Sequence, residues 1–197
     1  MTPPSPPARH GTGTDKLLVD VAGAVAVVTI NNPGKRNALS SEIRAALPGL
    51  LDTLQADIRI ASDDSQFGIP AARLGLGPGF ASVMTLVDLV GPAWASEILF
   101  SARRFPAAEA LRMGLVNRVV PAADLRGEVM SLARGIAQNA PLTVAACKAA
   151  IREAGRSPDR RDLARVEAMI EACFASEDYR EGRRAFAEKR PPAFTGH

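Results

Sequence analysis

The sequence predicts an α/β fold whose C-terminal half is helical. Two runs rich in β-branched residues, 17–21 and 24–30, are separated by a short link through Gly23, and this arrangement favours a hairpin. Short apolar runs at 58–61 and 116–120 predict two further strands. Apolar residues at helical spacing occur between these strands and over most of the rest of the chain. The predicted order is therefore strands alternating with helices, followed by a helical C-terminal half.

The elements can be justified in chain order. Four prolines within the first seven residues predict a flexible tail over residues 1–14, since such a segment cannot bury enough surface to order itself. Pro33 and Gly34 end the second strand. Ser40 or Ser41 can cap a helix over residues 41–55, which Pro48 is expected to kink or split. Later helices are predicted at about 82–90, 92–100, 107–113, 122–139, 141–154, 160–175 and 177–189.

Composition excludes several classes of site and partner. The chain has 197 residues, a net charge of +3 and only two histidines, at its two ends, so a Ser-His-Asp triad, a Cys-His dyad and a His-ligated metal are not expected. Basic residues alternate with acids and lack interleaved aromatics, which argues against nucleic acid. No apolar run of membrane length and no signal-peptide pattern is recognised, so the expected location is the cytoplasm. Cys147 and Cys173 are expected to be reduced core residues.

Five motifs in order carry a family resemblance. They are VAVVTINNPGKRNALS at 25–40, DIRIASDDSQFGIPAARLGLGPG at 57–79, LVGPAWASEILFSARRFPAAEALRMGLVNRVVP at 89–121, APLTVAACKAAI at 140–151 and AFAEKRPPAF at 185–194. Over about nine-tenths of the chain this series resembles the enoyl-CoA hydratase/isomerase, or crotonase, superfamily.

The resemblance implies a fold, a domain division and a ligand. The fold is a spiral of ββα repeats, here shortened, followed by a helical subdomain that builds a trimer. The implied divisions are a disordered tail at 1–14, a spiral core at 15–121 and a helical oligomerisation subdomain at 122–197. The implied ligand is an acyl-CoA thioester of fatty acid metabolism, handled by a lyase or isomerase with no cofactor except the CoA of the substrate.

The resemblance also implies three groups of binding residues, each with a plainer structural alternative. The first group is a loop that would follow the CoA and could instead be a charged turn. The second is a loop that would follow the acyl chain and could instead be a simple glycine-rich turn. The third lies at the end of the last helix, which could instead be a solvated basic helix end. The first group is Lys35, Arg36, Ala38 and Leu39; the second is Pro70, Ala71, Leu74, Gly75, Pro78 and Gly79; the third is Phe186 and Lys189.

Departures from the family pattern leave no catalytic residue to assign. In the family, two backbone amides hold the thioester oxygen and two glutamates transfer protons in the hydratases. Here residues 50–56 run directly into 57–62, and roughly sixty residues that carry both amide-donating loops and the first glutamate are missing, by typical element lengths. Ala71 occupies the position of the second glutamate. The remaining acids on helices, Glu109, Glu128, Glu167, Glu171 and Glu181, are interpreted as solvated.

Four functions remain open at this point. The favoured hypothesis is a crotonase-related acyl-CoA protein that is catalytically impaired. The second is a non-enzymatic acyl-CoA-binding or assembly partner that forms a homo-oligomer or joins full-length relatives. The third is an active enzyme with relocated acids, and the fourth is an incomplete version of a full-length enzyme, which the encoding DNA around residues 55–57 would distinguish.

Overall fold

The computed structural model describes residues 8–10, 17–22, 25–30 and 57–197. The chain divides into two units, Met1–Asp57 and Ile58–His197. The predicted helix at 41–55 and the candidate residues Lys35, Arg36, Ala38 and Leu39 lie outside the described residues. The predicted boundary near residue 121 stays a prediction.

The first unit contains a three-stranded antiparallel sheet. Its strands are β1 (Ala8–His10), β2 (Leu17–Ala22) and β3 (Val25–Ile30), in the order β1-β2-β3. Leu17 pairs with Ile30 and Ala22 with Val25, so the predicted hairpin is confirmed. Strand β1 lies inside the predicted tail, and its pairing of Ala8 with Val21 differs from that expectation. Its backbone groups find partners on β2, which composition alone does not reveal.

The second unit contains four short strands that form two pairs. Strand β4 (Ile60–Ser62) runs parallel to β7 (Arg118–Val120), and β5 (Gln66–Phe67) runs antiparallel to β6 (Phe105–Pro106). The first pair confirms the strands predicted near 58–61 and 116–120. The second pair was not predicted, because two-residue strands show no alternation of apolar and polar residues.

The unit also contains six helices, the first two of which lie between these strands in the chain, and they agree with the predicted positions. Buried side chains from helices, strands and connections form one apolar cluster of Val90, Ala95, Ile98, Phe105 and Met113 and another of Ala61, Ala110 and Val116. The bounds are α1 (Phe80–Ser101), α2 (Ala107–Arg112), α3 (Leu125–Ala137), α4 (Pro141–Ala154), α5 (Leu163–Ala175) and α6 (Glu177–Ala187).

Helix α1 is interrupted at Gly91. The residue has φ 77° and ψ 163°, a region open almost only to glycine, and the following Pro92 disfavours a helical conformation before it. By length and composition α1 could cross a membrane, contrary to the expectation that no such segment exists. The break leaves two halves of about ten residues, whereas a span needs roughly twenty, so α1 is weak evidence for a membrane segment.

The break predicts the effect of a side chain at this position. The Gly91→Ala variant should lose about 1–3 kcal/mol of unfolding free energy, because alanine cannot adopt this backbone conformation without strain. Gly77→Ala is the matched control, since Gly77 lacks a positive φ and its added Cβ would also meet nothing within 4 Å. Urea denaturation of both variants measures the difference; equal stabilities would contradict the strained conformation.

Candidate functional site

The loop that follows β5 contains the middle group of candidate residues. Pro70 precedes a short 3-10 helix, Ala71–Leu74, and its carbonyl accepts hydrogen bonds from the N–H groups of Arg73 at 3.0 Å and Leu74 at 3.2 Å. Gly75 ends the turn with φ 65°. The structure thus brings Pro70, Ala71, Leu74 and Gly75 together in one turn.

This loop is fixed to the rest of the second unit by a close backbone approach. A Cβ on Gly68 would lie only 2.9 Å from the carbonyl oxygen of Arg103, a separation that real Cβ atoms do not reach. Phe67 pairs with Phe105 across the β5–β6 ladder. Glycine at position 68 therefore has a packing reason, and the start of the loop is set by the segment around Arg103.

Arg103 holds that segment in place. Its guanidinium donates to Glu97 at 2.5 Å and to Glu109 at 2.6 Å and lies 3.9 Å from the centre of the Phe105 ring. The hydrogen bond from Arg103, and to a smaller extent its positive charge, lowers the pKa of the Glu109 carboxyl below its ordinary value. Glu109 was predicted to be a solvated acid; it is instead a half-buried partner of Arg103.

The chemistry available in the loop is limited to apolar contact and backbone groups. Leu74, Leu76 and Phe80 are 63%, 62% and 79% exposed, so an apolar edge faces solvent. Between residues 70 and 80 the only ionisable side chain is that of Arg73. Ala71 stands half-buried at the first position of the 3-10 helix, and the loop itself offers no group for proton transfer.

The last group of candidates, Phe186 and Lys189, lies at the end of α6. The Phe186 ring is 88% exposed. The Lys189 N–H donates to the carbonyl of Phe186 at 3.2 Å, and the lysine has a left-handed backbone with φ 53°. Both side chains therefore extend from one turn, and Lys189 has no ion-pair partner among residues 57–197; their role in binding CoA stays a prediction.

An apolar groove of about 640 Å³ opens between α4, α5 and α6. Phe174 stands edge-on to Tyr179 with ring centres 5.3 Å apart, and Phe186 and Phe194 complete the aromatic lining. Cys147 and Cys173 also line this groove, both as free thiols. The prediction of core cysteines is wrong for Cys147, which is exposed, because its helix turns this face toward the groove.

The buried acids of α6 were missed in the sequence. Asp178 is 3% and Glu181 9% exposed, so the prediction of a solvated Glu181 is wrong. The available signal was the cluster of arginines beside it, Arg184 and Arg190, since buried carboxylates are normally paired. No group of three His, Cys, Asp or Glu side chains suited to a metal occurs among the described residues.

Comparison with known proteins identifies the family. A family model described as enoyl-CoA hydratase/isomerase matches residues 47–197. The short-chain-enoyl-CoA hydratase of Clostridium acetobutylicum is 39% identical over 137 residues, which are 70% of this chain and 52% of that protein. The carnitinyl-CoA dehydratase of Escherichia coli O157:H7 is 36% identical over 147 residues, 73% of this chain and 56% of that protein. The chain thus spans about half the length of the curated relatives it matches.

Solved structures share the fold. DspI of Pseudomonas aeruginosa is 25% identical with a TM-score of 0.79, and the match covers 92% of this chain and 97% of that one. The enoyl-CoA hydratase of Mycobacterium tuberculosis H37Rv, at 24% identity, has a TM-score of 0.80 over 93% of this chain and 100% of that one. With the family model covering most of its length and a mixed α/β fold rich in helices, the chain belongs to the enoyl-CoA hydratase/isomerase, or crotonase, family.

Proposed function

We propose that this chain binds an acyl-CoA thioester but turns it over poorly. The observation that supports this most directly is the loop of residues 66–80, which retains an exposed apolar edge for an acyl chain while Ala71 stands at the start of its 3-10 helix. A methyl side chain at that position cannot take or give a proton. The absence of an internal segment before residue 57 stays a prediction. The proposal of poor turnover rests on that predicted absence together with alanine at position 71.

The proposed ligand contacts are those named from the sequence. The acyl chain would lie along Leu74, Gly75, Pro78 and Gly79 next to Pro70 and Ala71, and the nucleotide end would meet Phe186 and Lys189. Lys35, Arg36, Ala38 and Leu39 would follow the CoA. No cofactor beyond the CoA of the thioester is proposed, and the proposed setting is fatty acid metabolism in the cytoplasm.

The binding part of the proposal is tested by titration with CoA. The Lys35→Ala, Lys189→Ala double variant should bind CoA at least about tenfold more weakly, since each lysine would lose a charge-assisted contact with phosphate. The Arg126→Ala, Arg134→Ala double variant is the control, because it removes the same charge from helix α3. Unchanged affinity in the lysine variant would contradict the assignment of these residues.

A second candidate function, assembly with copies of itself or with full-length relatives, is favoured by the groove between α4, α5 and α6. Phe174 and Phe186 are 62% and 88% exposed there, and exposed apolar patches of this kind mark interaction sites. A trimer-based homo-oligomer is the proposed form. Not every apolar residue of the helical half can take part, because Val116 and Val166 are buried within the chain.

Sedimentation tests the assembly proposal. The chain at micromolar concentration should sediment as an oligomer, and Phe174→Ser should shift it toward the monomer by placing a polar group in the groove. Phe100→Ser provides the control, because Phe100 is 79% exposed on α1 and does not line the groove. A well-behaved wild-type monomer, or an equal shift in both variants, would refute the proposal.

A further inference from the structure

Two buried carboxylates on α6 hold the final residues of the chain. We define the C-terminal segment as residues 188–197. The Asp178 carboxylate accepts hydrogen bonds from the backbone N–H groups of Thr195 at 2.7 Å and Gly196 at 3.0 Å. Glu181 accepts one from the N–H of Ala193 at 3.0 Å. The segment therefore folds back along the helix it follows.

Glu181 also forms the centre of an ion-pair cluster. Arg190 donates to it through both terminal nitrogens, at 2.6 and 3.0 Å, and Arg184 donates at 2.5 Å. These guanidinium groups, Arg190 first, together with the Ala193 N–H hold the pKa of Glu181 well below its ordinary value of 4.5. The carboxylate is therefore ionised at neutral pH. Its two-pronged contact orients Arg190, which also pairs at 2.6 Å with the more exposed Glu188.

The fixed Arg190 bears on the conformation of its neighbour Lys189. The N–H of Arg190 donates to the carbonyl of Ala185 at 3.0 Å, which closes the turn at the end of α6 around Lys189. Such a turn normally uses glycine in the left-handed position. Lysine has a Cβ and disfavours that region, yet here its φ is 53°. The contact of Glu181 with Arg190, the next residue, can hold Lys189 in this conformation.

We infer that Glu181 is a positioning residue for Lys189: by tethering Arg190, it fixes the left-handed turn from which the lysine amine extends toward a phosphate of CoA. The inference rests on the proposed function, in which Lys189 meets the nucleotide end of the thioester. Glu181 itself touches no ligand. A role limited to holding the C-terminal segment would leave the affinity of the folded protein for CoA unchanged.

Titration with CoA separates the two roles. Glu181→Gln should weaken CoA binding about as much as Lys189→Ala, at least about tenfold, and the double variant should be no weaker than either single one, because both act through one contact. Removing a carboxylate makes the surface more positive and alone would favour an anion. A loss of affinity is therefore opposite to the simple charge effect.

The matched control is Glu177→Gln. Glu177 lies on the same helix and makes an exposed ion pair with Arg180, so its replacement changes the charge equally without touching Arg190. Its affinity for CoA should equal that of the wild type. Wild-type affinity in Glu181→Gln, losses that add in the double variant, or an equal loss in Glu177→Gln would each overturn the inference.

Amide hydrogen exchange tests the tether without a ligand. Exchange at Lys189 and Arg190 should rise at least about tenfold in Glu181→Gln but not in Glu177→Gln, and Lys189→Gly in the first background should restore protection, since glycine adopts the left-handed turn freely. If the wild type fails to bind CoA, the proposed function and the phosphate contact are refuted, and exchange alone then decides the tether. Unchanged exchange in Glu181→Gln would refute the tether whatever the CoA result.

Discussion

Purified protein should hydrate crotonyl-CoA at close to the uncatalysed rate, at least about 10⁴-fold below an intact relative. General acid–base groups contribute about 10²–10⁴-fold each, and an oxyanion-hole donor about 10²–10³-fold. Ala71 stands where the family resemblance implies one proton-transfer group, and the predicted missing segment would remove another together with both amide donors. The losses do not add fully, because these groups act as a unit, but two losses of about 10²-fold each already reach about 10⁴-fold.

The assay needs an active reference and proof of folding. The Clostridium acetobutylicum hydratase, assayed in parallel, gives the reference rate, and circular dichroism shows that the helices α1–α6 are formed. Loss of absorbance of the enoyl thioester measures turnover. A rate typical of enzymes would contradict the proposal of impaired catalysis and would favour an active enzyme with relocated acids.

Helices were predictable because their apolar spacing extends over many residues. The positions of α4, α5 and α6 follow from it, as does the break in α1, where Gly91 and Pro92 stand together. Strands β5 and β6 were beyond prediction because each has only two residues. Their pairing depends on Gly68 meeting the backbone of Arg103, a contact between residues distant in sequence.

The loop of the candidate site was predictable from its motif, whereas its surroundings were not. The order Phe67, Gly68, Pro70 singled out Ala71, whose place in a catalytic position stays a prediction, and the structure shows it at the start of a 3-10 helix. The burial of Asp178 and Glu181 was not predictable from helical spacing, because their partners lie in a segment that returns onto α6 after its end. Charged residues on a helix were predicted to be exposed to solvent, whereas contact with the C-terminal segment buries these two acids.

Supplying both sets of groups that are predicted to be missing should raise crotonyl-CoA hydration by at least about 10³-fold. The variant combines Ala71→Glu with an insertion between residues 56 and 57. The inserted segment comes from the Clostridium acetobutylicum hydratase, where it lies between the two residues that align with positions 56 and 57. The insertion would supply the amide donors and the first glutamate, and Ala71→Glu the second. Each change alone should leave the rate within about tenfold of that of the unmodified chain. A carboxylate stabilises little of the transition state when no amide holds the thioester oxygen, and the amide donors stabilise little of it without the carboxylate.

The insertion combined with Ala72→Glu is the matched control for this gain. Ala72 is the exposed neighbour of Ala71 in the same 3-10 helix, so the control adds the same charge one residue away from the proposed position. Circular dichroism and sedimentation verify that each inserted chain folds, and the single variant Ala71→Glu provides a test that does not depend on the insertion. A large gain in Ala71→Glu alone would mean that an oxyanion site already exists in the chain, and the interpretation of a missing segment would then be wrong. Equal gains in the two combined variants would show that position 71 is not the site of proton transfer, because the carboxylate would then act regardless of where the 3-10 helix places it.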